Sequence, residues 1–426
     1  MPRLPLTTFP LDEIVVLARR AAPFYRRLYE SLPERPALAD LPLLDGKAFW
    51  EAHAREPREV LTGELVGGIG LNSGGSTGAP KFTYLSDEEI DSAIALTAAS
   101  LDGTGLQAGD RVANFFGAGY LYASLIVATW ALKETATPVW QLPVAHLTPV
   151  PDAVRLMLPF RTNVWAGVTT HLINLAVHVQ KEKIEGLPLR LILYAGEPCT
   201  PDQRKFLEGV FPGVAIRSIS YASVDGGVIG VTTPDCGPGE HRVPDGAVLL
   251  EILDEETGEV IEDVARPGKI VFTNLTRRLM PTLRYPTGDR ARWVEPGGSE
   301  RRKFLLLGRA EESARLSNFN VPVEEVARLL EPFRTALEIQ QFQLVVTQEE
   351  LRDCLTIRLA TGAPRAMRDS MEPEILEALG RQKPLLAEMI AKGIIRPVRL
   401  EWVEPGQVEI NPRTGKARGV IDRRLD

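Results

Sequence analysis

Cysteine is scarce in this 426-residue chain: Cys199, Cys236 and Cys354 are odd in number and widely separated. That excludes a disulfide framework and a four-cysteine zinc site. The five histidines fall in no metal-binding or nucleophile-activating motif, and no Gly-x-Ser-x-Gly elbow occurs, so a Ser-His-Asp hydrolase has little support. There is no apolar run long enough to cross a bilayer, and the opening MPRLPLTTFPLDEIVVLARR lacks the charged-then-apolar layout of a secretion signal. A cytoplasmic protein is the expectation. An excess of positive charge is missing too. With 49 Lys+Arg against 56 Asp+Glu the net charge is −7, the wrong sign for nonspecific binding to nucleic acid or an anionic membrane. Repeats and low-complexity tracts are absent. What remains is 44% hydrophobic and 25% charged residues, the proportions of a globular protein with a large core and two or three domains.

Three textures follow one another. Up to about Gly230, apolar runs alternate with helical stretches: RVANFF from Arg111, TPVWQL and LRLILYAGE from Leu189 read as strands. YLYASLIVATWALKE and NVWAGVTTHLINLAVHV read as helices. Thr200-Pro201-Asp202-Gln203 opens a further helix with a capping-box pattern. Such alternation implies an α/β fold with parallel strands and helices on their faces. From Gly246 to Leu307 the pattern is β-rich, suggesting hairpins or a small barrel. After Gly308 come a helix (PVEEVARLLEPF), two strands (QFQLVVT and CLTIRLA), a helical region around Glu374–Lys392 that Gly380 and Pro384 break in two, and a last strand, VRLEWVE. The expectation is a large N-terminal layered α/β domain with a β-rich subdomain (residues 1–308), plus a small α+β C-terminal lid (residues 309–426).

The sharpest local signal runs from Ser73: Ser73-Gly74-Gly75-Ser76-Thr77-Gly78-Ala79-Pro80-Lys81. Glycines let backbone amides turn toward an anion, hydroxyls add donors, and the lysine adds charge, which together make a phosphate cradle. It is not a Walker A loop, since no glycine directly precedes Lys81 and no Ser or Thr follows it. A strand, FTYL, continues from Lys81, and Ser86-Asp87-Glu88-Glu89 then starts a helix. Gly103-Thr104-Gly105-Leu106-Gln107-Ala108 superficially matches a dinucleotide fingerprint, but a helix precedes it and a strand follows. It reads as an ordinary helix-to-strand turn.

The loop from Ser73 resembles the phosphate loop of the adenylate-forming superfamily of acyl- and aryl-CoA ligases, and five further segments resemble that superfamily's motifs in order. Tyr194-Ala195-Gly196-Glu197-Pro198 resembles the segment beside the adenine. Tyr221-Ala222-Ser223-Val224-Asp225 stands where the family has an aromatic–Gly–x–Thr/Ser–Glu motif. Tyr285-Pro286-Thr287-Gly288-Asp289 resembles the motif whose aspartate holds the ribose hydroxyls. Leu307-Gly308-Arg309-Ala310-Glu311-Glu312 resembles the hinge, and Asn411-Pro412-Arg413-Thr414-Gly415-Lys416-Ala417-Arg418 the C-terminal loop bearing the catalytic lysine. The PFYRRLYE segment and the VEPG and VIDRR flanks resemble the phenylacetate–CoA ligase branch, and Tyr-Ala-Ser-Val-Asp-Gly-Gly hints at relatives from phenazine antibiotic biosynthesis.

This resemblance implies ATP-dependent activation of a carboxylic acid to an acyl-adenylate, with coenzyme A as the expected acceptor and Mg²⁺ as the metal. Lys416 is then the catalytic lysine. Ser73, Gly74, Gly75, Ser76, Thr77, Gly78 and Lys81 would hold phosphates. Gly196, Glu197, Pro198, Ser220, Tyr221, Ala222, Ser223, Asp289 and Arg309 would surround adenosine. Asp225 would ligate Mg²⁺, Glu311 would be the hinge, and Tyr120, Ala195 and Gly226 would contact the acid. Phe115–Tyr122, at a strand-to-helix junction, offers small residues beside aromatics, a slot for a flat ring. An aromatic acid of one to three rings is expected. Arg277, Arg278, Arg284, Arg290 and Arg309 are expected to cluster near the site. The implied partners are the acid and ATP, with no nucleic acid and no membrane, and a homodimer is a family-level expectation.

Several departures bear on that reading. Asp225 is one methylene shorter than the family's glutamate, and Glu311 and Glu312 replace the hinge aspartates. Asn318 stands where relatives have a glycine lining the thiol channel, which makes transfer to coenzyme A less secure than adenylation. Some relatives carry a cysteine-rich zinc cluster; here Cys236 and His241 form an isolated pair, insufficient alone for structural zinc. Two other readings stay open. One is an adenylating enzyme with an amine, hydroxyl or carrier-protein acceptor; the other is a noncatalytic aryl-acid-binding protein, opposed by the intact phosphate loop and Lys416.

Overall fold

The computed structural model describes residues 4–73, 81–119, 121–199, 201–309, 313–317, 319–404, 407, 409 and 419–424. Backbone proximity divides the chain into two compact units, the first made up mostly of residues up to 310 and the second mostly of residues from 311 on.

The first unit opens with helices α1 (Leu11–Ala21), α2 (Pro23–Leu28) and α3 (Gly46–Arg55). They bury Ile14, Tyr25, Tyr29, Phe49 and Trp50 against Phe272, Leu283 and Tyr285. A hairpin of β1 (Ile69–Ser73) and β2 (Lys81–Leu85) follows, with Ser73 opposite Lys81. The glycine-rich segment therefore connects two antiparallel strands. Helix α4 (Asp87–Asp102) starts as expected: Glu89 N–H donates to Ser86 Oγ and Ser86 N–H to Glu89 Oε2. The other oxygen of Glu89 accepts from the backbone N–H groups of Arg278 and Leu279, 2.7 Å each, so one capping carboxylate also pins a distant loop.

Next come β3 (Arg111–Asn114), α5 (Ser124–Glu134), β4 (Trp140–Pro143), α6 (Val150–Met157), β5 (Val164–Gly167), α7 (Thr169–Lys181), β6 (Leu191–Tyr194), α8 (Pro201–Val210) and β7 (Ala215–Ser218). The strands form one parallel sheet in the order β4-β3-β5-β6-β7. All four residues of β5 and all four of β6 are buried, as strands covered on both faces require. The stretch NVWAGVTTHLINLAVHV, expected as one helix, begins with β5. A strand buried on both faces shows no period-two alternation, so its residues resemble a buried helix. The Gly103–Ala108 segment is the helix-to-strand turn expected of it, with Gly105 at φ +92°.

Seven antiparallel strands complete the unit: β8 (Ser220–Ser223), β9 (Gly227–Val231), β10 (Glu240–Arg242), β11 (Val248–Leu253), β12 (Pro267–Asn274), β13 (Tyr285–Trp293) and β14 (Lys303–Arg309). Their order, β11-β12-β13-β14-β10-β9-β8, is that of an open sheet with two edges, not a small barrel. Closure would need β11 to pair with β8.

The second unit contains β15 (Ser313–Leu316), β16 (Phe319–Pro322), α9 (Val323–Arg334), β17 (Ile339–Glu349), β18 (Arg352–Thr361), α10 (Arg365–Gln382), α11 (Pro384–Ala391), β19 (Arg399–Val403) and β20 (Val420–Asp422). A mixed sheet, β19-β18-β17-β20, shares a core of Leu330, Leu344, Ile357, Ile375 and Leu386 with the helices. Pro384 separates α10 from α11, whereas Gly380 lies inside α10 and breaks nothing. The fold is mixed α/β, a large N-terminal part with a parallel sheet and a C-terminal α+β region. No helix among the described residues is long and apolar enough to cross a membrane.

Candidate functional site

Two motif segments far apart in sequence meet on the antiparallel sheet. Tyr221, on β8, donates its hydroxyl to Asp289 Oδ2 on β13 at 2.7 Å. The Asp289 N–H donates to Thr287 Oγ1 at 3.0 Å, and Gly288 takes φ +77°, so Thr-Gly shapes the turn of chain that presents the carboxylate. Across the ladder, Asp289 is the register partner of Arg309, the last residue of β14. The ring of Tyr221 is backed by His241 and Phe304, at centroid distances of 6.2 and 6.1 Å. Side-chain and backbone contacts thus hold one aromatic face and one carboxylate together, the pair a nucleoside needs for base and ribose.

Asp225 follows β8. Its Oδ2 accepts from Tyr285 Oη at 2.8 Å, and Tyr285 Oη accepts from Trp50 Nε1 of α3 at 2.9 Å. Arg277, buried with 1% of its surface exposed, donates from Nη1 to the Asp225 carbonyl at 2.6 Å. Burial pulls the guanidinium's pKa below its ordinary value, and the Glu89 and Asp225 carboxylates oppose that. Gly226 has no room for a side chain: a Cβ there would come within 2.7 Å of Phe272 Cζ and Ser223 Oγ. Its N–H donates to Ser223 Oγ at 2.9 Å and its carbonyl accepts from Asn274 at 2.9 Å. Ser220 is half-buried, and Ala222 and Ser223 are exposed.

Other expected residues lie at the ends of the parallel strands. Ala195 continues β6, donating its N–H to the Gly167 carbonyl at 3.2 Å; Gly196 turns at φ +80° and is exposed with Pro198, while Glu197 is buried. The Glu197 carbonyl accepts from Thr169 Oγ1 at 3.3 Å. Lys81 begins β2 with Nζ 5.5 Å from the Trp50 ring centroid, so Trp50 meets both Lys81 and Tyr285. Gly74–Gly78, Tyr120, Glu311, Asn318 and Lys416 lie outside the described residues.

The expected arginine cluster is not an open field of charge. Arg284 forks onto Glu251 at 3.0 Å twice, Arg290 pairs with Glu255 at 2.6 Å, and Arg278 lies 3.4 Å from Glu88 and over the Phe9 ring. These basic side chains each have their own acid, which spacing along the chain cannot reveal. Arg277 is the member of the group that touches the Asp225 segment. Cys236 and His241 are both buried, and His241 Nε2 lies 2.9 Å from Ser218 Oγ. The surrounding residues are instead tied by ion pairs of Arg242 with Asp235 and Glu295 and of Lys303 with Asp235.

No group of three or more His, Cys, Asp or Glu among the described residues is placed to hold a metal. Asp225 offers one carboxylate there. That donor set fits Mg²⁺, which is commonly held by one or two carboxylates together with waters and substrate phosphates.

Trp50 was not foreseen as a site residue; Arg277 was expected near the site but not as a buried partner of Asp225, and Tyr285 was expected only as part of its motif. Trp50 is 235 residues from Tyr285, and nothing local marks it.

Residues 72–276 match the family model described as AMP-binding enzyme. The phenylacetate–coenzyme A ligase of Aromatoleum evansii is 26% identical over 421 residues, covering 94% of this chain and 90% of that protein. The phenylacetate–coenzyme A ligase of Thermus thermophilus is 25% identical over 439 residues, covering 97% and 95%. Among solved structures, 2-hydroxyisobutyryl-CoA ligase with its acyl-adenylate and CoA superposes with a TM-score of 0.73 at 19% identity, covering 97% of this chain and 88% of that one. The comparisons support the AMP-binding, adenylate-forming superfamily, with a distant, near-full-length likeness to phenylacetate–coenzyme A ligases.

Proposed function

We propose, starting from that superfamily likeness, that this chain activates an aromatic carboxylic acid with ATP and transfers the acyl group to coenzyme A. In the first step a carboxylate oxygen attacks the α-phosphorus, the bond to the β-phosphate bridging oxygen breaks, and pyrophosphate leaves. In the second, the coenzyme A thiol attacks the acyl carbon, AMP leaves with the carboxylate's former oxygen, and the thiol proton passes to solvent. The observation that carries the reading is the Tyr221–Asp289 pair, two family motif residues 68 positions apart, hydrogen-bonded beside the Arg309 backbone.

In this reading Asp289 binds the ribose hydroxyls and Tyr221 stacks on adenine beside the Ala195–Pro198 turn, with Arg309 reaching the ribose. The segment from Ser73 to Lys81 cradles the β- and γ-phosphates, and Lys416 supplies positive charge where the carboxylate meets the α-phosphate. Residues 309–426 act as a lid that turns about Glu311 between the two steps. Mg²⁺ entering with the triphosphate would be held by Asp225 and would offset phosphate charge. Tyr285 and Arg277 orient that carboxylate and its backbone.

Acid-dependent ATP–pyrophosphate exchange across a panel of aryl, short aliphatic and amino acids tests this. Exchange with aryl acids, and thioester formation when coenzyme A is added, is the expected result. Preference for an amino acid would sink the aryl assignment, and exchange followed by transfer only to an amine, hydroxyl or carrier protein would replace the acceptor. No exchange with any acid would favour a noncatalytic binding protein.

A further inference from the structure

The order of the parallel sheet fixes where its ligand crevice opens. From β3 the chain runs to β4 on one side; from β5 it runs to β6 on the other. The crevice of a doubly wound sheet lies beyond the strand ends where the connections diverge, here beyond β3 and β5. Phe115 follows β3 and is fully buried; His171 sits in the first turn of α7, directly after β5. Their ring centroids are 5.3 Å apart with planes at 45°. Glycines stand on both sides, each packed closely against a neighbouring side chain. A Cβ on Gly167 would come to 3.1 Å from Phe115 Cβ, and one on Gly117 would come to 2.9 Å from the His146 ring.

Within this apolar mouth His171 Nε2 is buried and has no hydrogen-bond partner among the described residues. Two other histidines keep a buried ring nitrogen without a partner among the described residues, Nε2 of His53 and Nδ1 of His241, but elsewhere. His53 is packed between Trp50 and Tyr84, and His241 between Tyr221 and Phe304, both inside filled clusters away from the strand ends. Of the three, His171 is the one that stands at the crevice. Burial, with His146 nearby, lowers its pKa to about 4, so the ring is neutral at pH 7 and carries one N–H and one lone pair. A buried polar atom left unpaired is destabilising, and a ligand group that pairs with it removes that penalty. A hydroxyl can both donate and accept, so it matches either tautomer; a bare hydrocarbon ring matches neither.

We propose that His171 is the polar specificity element of the acid pocket, and that the preferred acid carries a ring hydroxyl that pairs with Nε2. This rests on the adenylation reading above and adds the substrate class. Pyrophosphate exchange would be measured with phenylacetate and benzoate and with their ortho-, meta- and para-hydroxy derivatives. Wild type is expected to favour one hydroxy isomer over its parent by about 10- to 100-fold in kcat/KM, the size of discrimination a buried unpaired group imposes. His171→Leu should bring that ratio to within about threefold of one. A wild type that exchanges with these acids but shows no hydroxyl preference overturns the proposal. So does a preference that survives in His171→Leu, or an equal loss on parent and hydroxy acid, which would assign His171 to the carboxylate they share. Histidine-selective ¹⁵N NMR of the unaltered protein gives a reading that does not depend on the variant folding. Saturating hydroxy acid should move the His171 Nε2 signal and the parent acid should not; an unmoved signal overturns the proposal. Absence of exchange with every acid removes the adenylation reading, a different failure from exchange without hydroxyl preference.

Discussion

The two sheets of the first unit use their residues in opposite ways. In the parallel sheet, β5 and β6 are buried on both faces, so the strands themselves have no surface to offer, and the chemistry-bearing residues sit just past their ends: Phe115, His171, Ala195 and Glu197. In the antiparallel sheet, one strand carries both core and polar residues. On β13, Tyr285 points into the helical cluster of α1–α3, and Asp289, four positions on, meets Tyr221. The parallel sheet therefore offers a pocket shaped by loops, and the antiparallel sheet offers a rigid row of side chains. In the proposed function the acid takes the first and the nucleotide the second.

That division can be broken by experiment. The largest expected effect belongs to the proposed catalytic lysine: Lys416→Ala should lower adenylation about a hundredfold or more, typical of losing a preorganised charge, with the KM values for acid and ATP moving far less. A loss confined to KM would move the charge assignment elsewhere. Next, Asp289→Ala should raise the KM for ATP about 10- to 100-fold, the worth of a charge-assisted hydrogen-bond pair, and change the KM for the acid less than about twofold. Steady-state kinetics with each substrate varied decides it, and a shift in the acid's KM instead would contradict the division of labour.

A smaller effect concerns stability. Burial lowers the His241 pKa to about 4, below the unfolded value of about 6.5. The folded state thus holds a neutral ring that the unfolded chain would protonate. Its contribution is fully present above about pH 6.5 and falls as pH drops toward 4, by at most about 1.4 kcal/mol per pH unit. Denaturant melts from pH 7 to 4 should show that slope, and His241→Gln should flatten it; an unchanged slope would contradict the assignment. Smallest is Gly117→Ala, where the added methyl meets the His146 ring at 2.9 Å. The His146 ring is a side chain that can shift, so a few-fold change in the acid's KM with an unaltered KM for ATP is expected. The reverse pattern would place the pocket elsewhere.

Local chemistry was the legible part of this sequence. The capping box at Ser86–Glu89, the strand after Lys81 and the turn at Gly105 depend on neighbours a few residues apart, and all were readable. The β5 strand was hidden because double burial erases the alternation that marks a strand. Of the two expectations for the β-rich region, consecutive antiparallel pairing from β11 to β14 bears out hairpins, while the barrel fails because closure depends on which edge strands pair, a property of no single strand. Long-range partners were invisible for the same reason. Glu89 gives a helix signal in sequence, yet half of what it does is to hold Arg278 and Leu279, nearly 190 residues on. The arginines between Arg277 and Arg290 looked like a field of charge, and tertiary contacts gave nearly every one an acid.

The most direct measurement follows one oxygen atom. An aromatic acid labelled with ¹⁸O in its carboxylate is incubated with the enzyme, ATP and coenzyme A, and the nucleotide product is weighed by mass spectrometry. Attack of the carboxylate on the α-phosphorus predicts AMP carrying one ¹⁸O atom for each acyl group transferred. Unlabelled AMP, or label in inorganic phosphate alongside ADP, would contradict the account.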